Sequence, residues 1–142
     1  MKKLNLLFVV VVALVAFTAC ANLEKILPQN TGTWTATTGA ISVFEDGVAI
    51  TSDSTVNFNG SVTYLFNEDG TGVYTEDGNS EDFNWTYNDE AEQLTIETDG
   101  LPVVYDVLEF SKDEMTLFFS FEIDFFGIKL RTDTTFDMEK ED

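Results

Sequence analysis

Histidine is absent from the 142 residues, cysteine occurs once and proline twice, and Lys plus Arg number 7 against 26 Asp plus Glu. Each scarcity closes a route. Without imidazole there is no His base, no Ser-His or Cys-His pair and no His-bearing zinc or haem site. A lone Cys20 forbids an internal disulfide and a cysteine cage around a metal. The formal charge of −19 repels phosphate backbones, which excludes nucleic acid as a partner. It also repels anionic lipid surfaces, so contact with a membrane has to run through something other than a basic patch. No glycine-rich nucleotide loop is present.

What the chain does have is a leader and many aromatics. Met1-Lys2-Lys3 is a short basic start, Leu6 to Phe17 is an uncharged apolar run, and Thr18-Ala19-Cys20 brings small residues before the only thiol. The run is shorter than the roughly 18 residues of a spanning helix, so it reads as an export signal. Phe17-Thr18-Ala19-Cys20 resembles the lipobox of bacterial lipoproteins, with Phe17 where that family prefers Leu or another aliphatic residue. The resemblance implies that residues 1–19 are removed and that Cys20 is acylated as the first mature residue. Ala21, not being Asp, implies passage to the outer membrane in a Gram-negative cell, facing the periplasm or the surface. Each buried methylene of an acyl chain contributes about 0.8 kcal/mol, so several chains suffice for stable anchoring. The mature chain then carries 5 basic and 26 acidic residues, a formal charge of −21.

Residues 20–30 read as a lipidated tether in which Leu23, Ile26 and Leu27 share one side of a helical turn ended by Pro28, serving as a tether or a plug. From residue 31 to 138 the pattern has period two, with runs rich in Val, Thr, Tyr, Phe and Trp separated by Asp-Gly and Asn-Asp turns. An acidic tail, 139–142, follows. The clearest hairpin joins Ser61–Phe66 to Thr71–Thr75 through Asn67-Glu68-Asp69-Gly70. Val62, Tyr64 and Phe66 share one face, as do Phe83, Trp85 and Tyr87. Further strands are expected at Gln93–Thr98, Val103–Phe110, Met115–Ile123 and Gly127–Met138, with weaker ones near Trp34, Val48 and Val56. Residues 41–59 read as a hairpin or a flap. The sum is an all-β chain: an antiparallel up-and-down meander of about eight to ten strands closing into a barrel.

Gly32-Thr33-Trp34, Phe66-Asn67-Glu68-Asp69-Gly70-Thr71-Gly72 and Phe83-Asn84-Trp85-Thr86-Tyr87 resemble the lipocalin-like domains of small bacterial lipoproteins, over nearly all of residues 30–138. That resemblance implies a lipocalin-like barrel closed at one end by Trp34 beneath a basic residue of the last strand. Arg131, with Lys129 on its face, is the candidate for that cation–π contact, of roughly 0.5 to 2 kcal/mol; a solvated Arg131 is the alternative. Tyr64, Phe66, Phe83, Trp85 and Tyr87 are candidate ligand-binding residues of an apolar cavity, the competing reading being a core packed solid by these same rings. Phe118, between Leu117 and Phe119, puts aromatic surface on both faces of one strand, and burial beneath the N-terminal turn is its expected cover. Carboxylate pairs such as Glu76-Asp77, Glu81-Asp82 and Glu122 with Asp124 do not stand out as a glycosidase dyad. Asp69-Gly70 and Asp77-Gly78-Asn79 lack the alternating oxygens of a calcium loop.

The expected function is therefore non-catalytic, without cofactor or metal: a lipid-anchored envelope protein that binds a small apolar or amphipathic molecule. The alternative is a filled barrel that meets another envelope protein through an outer face around Phe118, Phe125 and Phe126. Cys20→Ser is expected to leave an unacylated chain released from membranes, read by mass and cell fractionation; unchanged membrane attachment would refute the lipobox reading.

Overall fold

A computed structural model describes residues 22–51 and 54–141, so Cys20 and the leader lie outside the described residues. The elements are α1 (Leu23–Ile26) and ten strands: β1 (Thr33–Glu45), β2 (Val48–Ala49), β3 (Ser54–Asn57), β4 (Val62–Phe66), β5 (Thr71–Glu76), β6 (Asn79–Asn88), β7 (Gln93–Thr98), β8 (Leu101–Phe110), β9 (Glu114–Phe125) and β10 (Ile128–Lys140). β4 to β10 form a continuous antiparallel meander. β1 pairs with β4 on one edge and β10 on the other, closing an eight-stranded barrel with β2 and β3 outside it.

β1 is the strand on which closure turns. One edge runs against β10 from Trp34↔Lys140 to Glu45↔Leu130. Its other edge is covered in succession by β4 at Thr33–Thr35, β3 at Thr38–Ile41 and β2 at Phe44–Glu45. These three segments run the same way and act as one interrupted strand. The described part of 41–59, expected as a hairpin or flap, does hold a hairpin, in which β1 turns at Asp46-Gly47 into β2, and it also supplies β3 on the same edge of β1. A bulge between Ala36 and Thr38 adjusts the register. The carbonyl of Thr37, displaced there, accepts from the Phe58 amide at 3.1 Å.

The closed end is plugged by α1. Asn22 caps it, its Oδ1 accepting from the Glu24 amide at 2.9 Å. Leu23, Ile26 and Leu27 are buried against Trp34, whose Nε1 donates to the Leu27 carbonyl at 3.1 Å. The cation near Trp34 is Lys140, 5.3 Å from the ring centre, with its Nζ donating to the Ile26 carbonyl at 2.5 Å. Arg131, the residue expected there, stands instead 4.2 Å over Phe44. The correction has a simple cause: β10 runs on to Lys140, so residues 139 and 140 are strand and Arg131 lies nine residues up, opposite Phe44. Phe118 is likewise not beneath α1; it is half-buried on the outer wall beside Thr135 and Asp106.

Above the plug the barrel is packed by Phe66, Phe83, Trp85, Leu94, Ile96, Met115, Leu117 and Met138, each fully buried side chain contributing ~1.5–3 kcal/mol. Phe66 meets Phe83 and Trp85 edge-on at 5.4 and 5.6 Å. Trp85 Nε1 donates to the carbonyls of Asn67 and Thr71 at 3.2 and 3.0 Å, binding the core to the β4–β5 turn. Gly72 makes that packing possible, since a methyl group there would overlap the Phe83 ring and the Leu65 carbonyl. Gly100 sits at φ +77° with nothing within 4 Å. Gly72→Ala is expected to cost ~1–3 kcal/mol through overpacking, and Gly100→Ala ~1–2 kcal/mol through its backbone alone. Urea unfolding checks both, and only the first should alter the near-ultraviolet signal of Trp85.

Candidate functional site

Strand lengths decide where the molecule opens. β4 and β5 are short, whereas β1, β9 and β10 run 12 or 13 residues. β8 and β9 pair only from Asp106↔Phe118 to Phe110↔Met115. Beyond that point β8 carries on to Leu101 with β7, while β9 carries on to Phe125 with β10. The barrel therefore flares. β9, β10 and β1, with β3 and β2, rise as an arm above the mouth.

The inside of this mouth is aromatic. Tyr64 and Tyr74 are cross-strand partners with ring centres 5.0 Å apart. Together with Ile96, Leu101, Val103 and Tyr105 they line an open cleft of about 340 Å³, edged by Glu81, Thr98 and Asp99. Tyr105 continues onto Phe119 at 5.8 Å, and Phe119 onto Phe121 at 6.5 Å. The face of β9 that begins with buried Met115 and Leu117 thus emerges into solvent as Phe119, Phe121, Ile123 and Phe125. Below the mouth the interior is filled: the space that Ala36, Val62, Phe66, Leu117, Phe136 and Met138 enclose beneath the cleft's own Tyr64, Ile96 and Tyr105 is about 10 Å³, at the lower bound of what one water needs. A wider depression of about 510 Å³ lies along β5 to β7. Its margin is polar, with Asn67, Thr71, Asp82, Asn84, Glu97 and Asp99.

The phenols at the mouth are held neutral. Burial pushes Tyr64 well above its ordinary value, and the neighbouring Tyr105, Tyr74 and Glu76 add to the effect. Tyr74 is raised first by burial, then by donating to Glu76 Oε2 at 2.7 Å, and by the charges of Glu76 and Glu81. Burial raises Tyr105 as well. The cleft therefore offers uncharged hydroxyls over apolar rings. Among the described residues no group of three His, Cys, Asp or Glu is placed to hold a metal ion.

Of the five rings singled out in the sequence, only Tyr64 lines the cleft. Phe66, Phe83 and Trp85 are packed into the core, and Tyr87 is half-buried near the closed end, five residues from the β6–β7 turn's Glu92. Tyr74, Tyr105, Ile96, Leu101 and Val103 are the lining residues that sequence reasoning missed. The hairpin register carried the signal for Tyr74. Phe66 pairs with Gly72, not Thr71, which brings Tyr74 opposite Tyr64 on the same face.

No protein-family model matches the chain, and no curated protein matches it either. Among solved structures it is similar to a multidomain protein including DUF1735 from Bacteroides ovatus, at 11% identity and a TM-score of 0.34. That alignment covers 77% of this chain, which spans 56% of the other.

The raised tyrosines set a pH dependence. A group whose folded pKa lies above its unfolded value gives stability that is complete below the unfolded value, about 10 for tyrosine, and is lost as pH rises toward the folded one. Stability is thus expected to fall above pH ~10, with tyrosinate absorbance appearing together with unfolding. Lys140 acts with opposite sign, because burial lowers its pKa against the weaker opposing pull of Asp113. Tyr64→Phe isolates the tyrosine part: its urea midpoint should lose less between pH 9 and 11, about one unit either side of that value, than the parent's.

Proposed function

We propose that this chain is a non-catalytic, lipocalin-like binding lipoprotein, anchored in the envelope through Cys20 and most naturally at the outer membrane. It takes a small apolar or amphipathic molecule at its open end. The observation that carries this reading is the aromatic cleft of about 340 Å³ between Tyr64, Tyr74, Ile96, Leu101, Val103 and Tyr105. Its size falls within the roughly 300–1,000 Å³ of small-molecule sites, and its lining combines apolar surface with a few polar tips. The filled interior moves the expected ligand from the barrel's depth to its mouth. Binding then needs no strand to part. The ligand displaces water from surface already concave, and the arm above supplies further apolar contact.

The energetics follow from burial. Covering apolar area contributes roughly 25 cal/mol per Å² before the cost of immobilising the ligand. A short chain lying against Tyr105 and Phe119 therefore gains this burial without any buried charge.

A second reading rests on the arm's tip, where Phe125 is 60% and Phe126 94% exposed. Exposed aromatics of this kind mark contacts with other proteins, and Phe126 on an envelope protein would serve a neighbouring envelope protein.

Native mass spectrometry of residues 21–142, incubated with an organic extract of the source cells, separates the two. A discrete adduct weakened about tenfold or more by Leu101→Asp or Tyr74→Ala, and left unchanged by Phe126→Ser, supports binding at the mouth. Absence of any adduct, with a cross-linked protein partner in intact cells lost on Phe126→Ser, would overturn it in favour of the tip.

A further inference from the structure

We propose that the molecule taken at the open end is a long-chain ammonium amphiphile, its cationic head among Tyr64, Tyr74, Tyr105 and the rim carboxylates, its chain along Phe119 and Phe121. The proposal rests on the reading of the mouth as a binding site and adds the charge and shape of its ligand.

The first support is how charge is distributed. No Lys or Arg occurs between Lys25 and Lys112, a stretch that holds 16 Asp and Glu. β4 to β8, which build the cleft, belong wholly to it. Glu81 and Asp99 stand in the cleft's lining, and Glu76 accepts from the Tyr74 hydroxyl. Among the described residues none of the three is in an ion pair.

Among the described residues the basic side chains are all elsewhere. Lys25 and Lys140 lie at the plugged end, and Lys112 sits in the turn beside it, paired with Asp113. Lys129 pairs with Glu122 at 3.6 Å and Arg131 lies over Phe44. By strand alternation those two are on the arm's outer face, away from the mouth. The open end is therefore an apolar floor under an uncompensated negative rim, which attracts cations and repels fatty acids.

The second support is the shape and chemistry of the floor. Three tyrosine rings converge there, and ring faces attract a cation through their quadrupole. The hydroxyls of Tyr64 and Tyr105 make no hydrogen bond to any described residue, leaving them able to accept from an ammonium. The interior is too full for an aliphatic chain. The rings instead continue outward through Tyr105, Phe119 and Phe121. A head in the cleft thus directs its chain up the arm.

Three probes with one chain length test this: decylammonium, decanol and decanoate, titrated below micelle formation into protein of residues 21–142 by calorimetry at neutral pH. Decylammonium is expected to bind at least about tenfold more tightly than decanoate, with decanol between them. Neutralising the rim with Glu76→Gln, Glu81→Gln and Asp99→Asn together should abolish that preference and leave decanol unchanged. These positions are exposed, and circular dichroism verifies the fold. Neutralising three carboxylates at the plugged end, Asp89→Asn, Glu90→Gln and Glu92→Gln, should leave the preference intact.

Decanoate binding as tightly as decylammonium, or equal loss of preference in both triple variants, would overturn the ammonium inference while decanol binding kept the mouth as a site. No binding of any probe would overturn the mouth reading itself, and the ammonium inference with it.

Discussion

The whole architecture depends on β1 satisfying two edges at once. A 13-residue strand in a barrel needs a partner along its full length on both sides, because unpaired edge amides invite aggregation. β10 runs beside it from Trp34 to Glu45, interrupted only by the bulge at Thr37. No single strand does so on the other side, and β4, β3 and β2 share the task. The short β4 is followed by a similarly short β5, while β9 has to match β10. The wall is consequently tall on one side and low on the other, and the flared mouth is the geometric result of that mismatch.

The two ends of the barrel then acquire different physics from one alternating pattern. At the plugged end, inward side chains meet inward side chains from across the barrel, and Trp34 and Leu94 lose all contact with water and Phe66 nearly all of it. At the open end the same faces of β9 and β10 have nothing opposite them. Phe121 and Phe125 are there for the same reason that Met115 and Leu117 are in the core, but without a far wall to cover them. Charge sharpens the contrast. At the plugged end Lys140 hydrogen-bonds the Ile26 carbonyl and Lys112 pairs with Asp113, whereas among the described residues Glu76, Glu81 and Asp99 stand at the mouth without a cation. The neutral, raised tyrosines between them are a consequence of burial within this negative rim.

Much of the fold was legible in the residues. Phe83, Trp85 and Tyr87 do share a face, the meander from β4 onward follows the turn chemistry, and the turn before Pro28 is a helix. The site was less so. Its five expected rings are chemically alike, and alternation cannot tell which of the inward residues meets a far wall and which meets solvent. Tyr74 was overlooked because a hairpin loop longer by one residue reverses the face of everything after it. The cation at Trp34 was assigned to Arg131 because the last strand was expected to end at Met138; two more strand residues bring Lys140 to the ring.

Period-two patterning, turn residues and the absence of imidazole and paired thiols are local properties, carried by neighbours a few residues apart. They were enough to determine an all-β meander and to exclude whole classes of chemistry. The length over which two strands stay paired is not local, since it depends on where each partner's own obligations end. Only the tertiary structure decided that β8 leaves β9 at Asp106, and with that parting which aromatics became core and which became the wall of an open, negatively rimmed cleft.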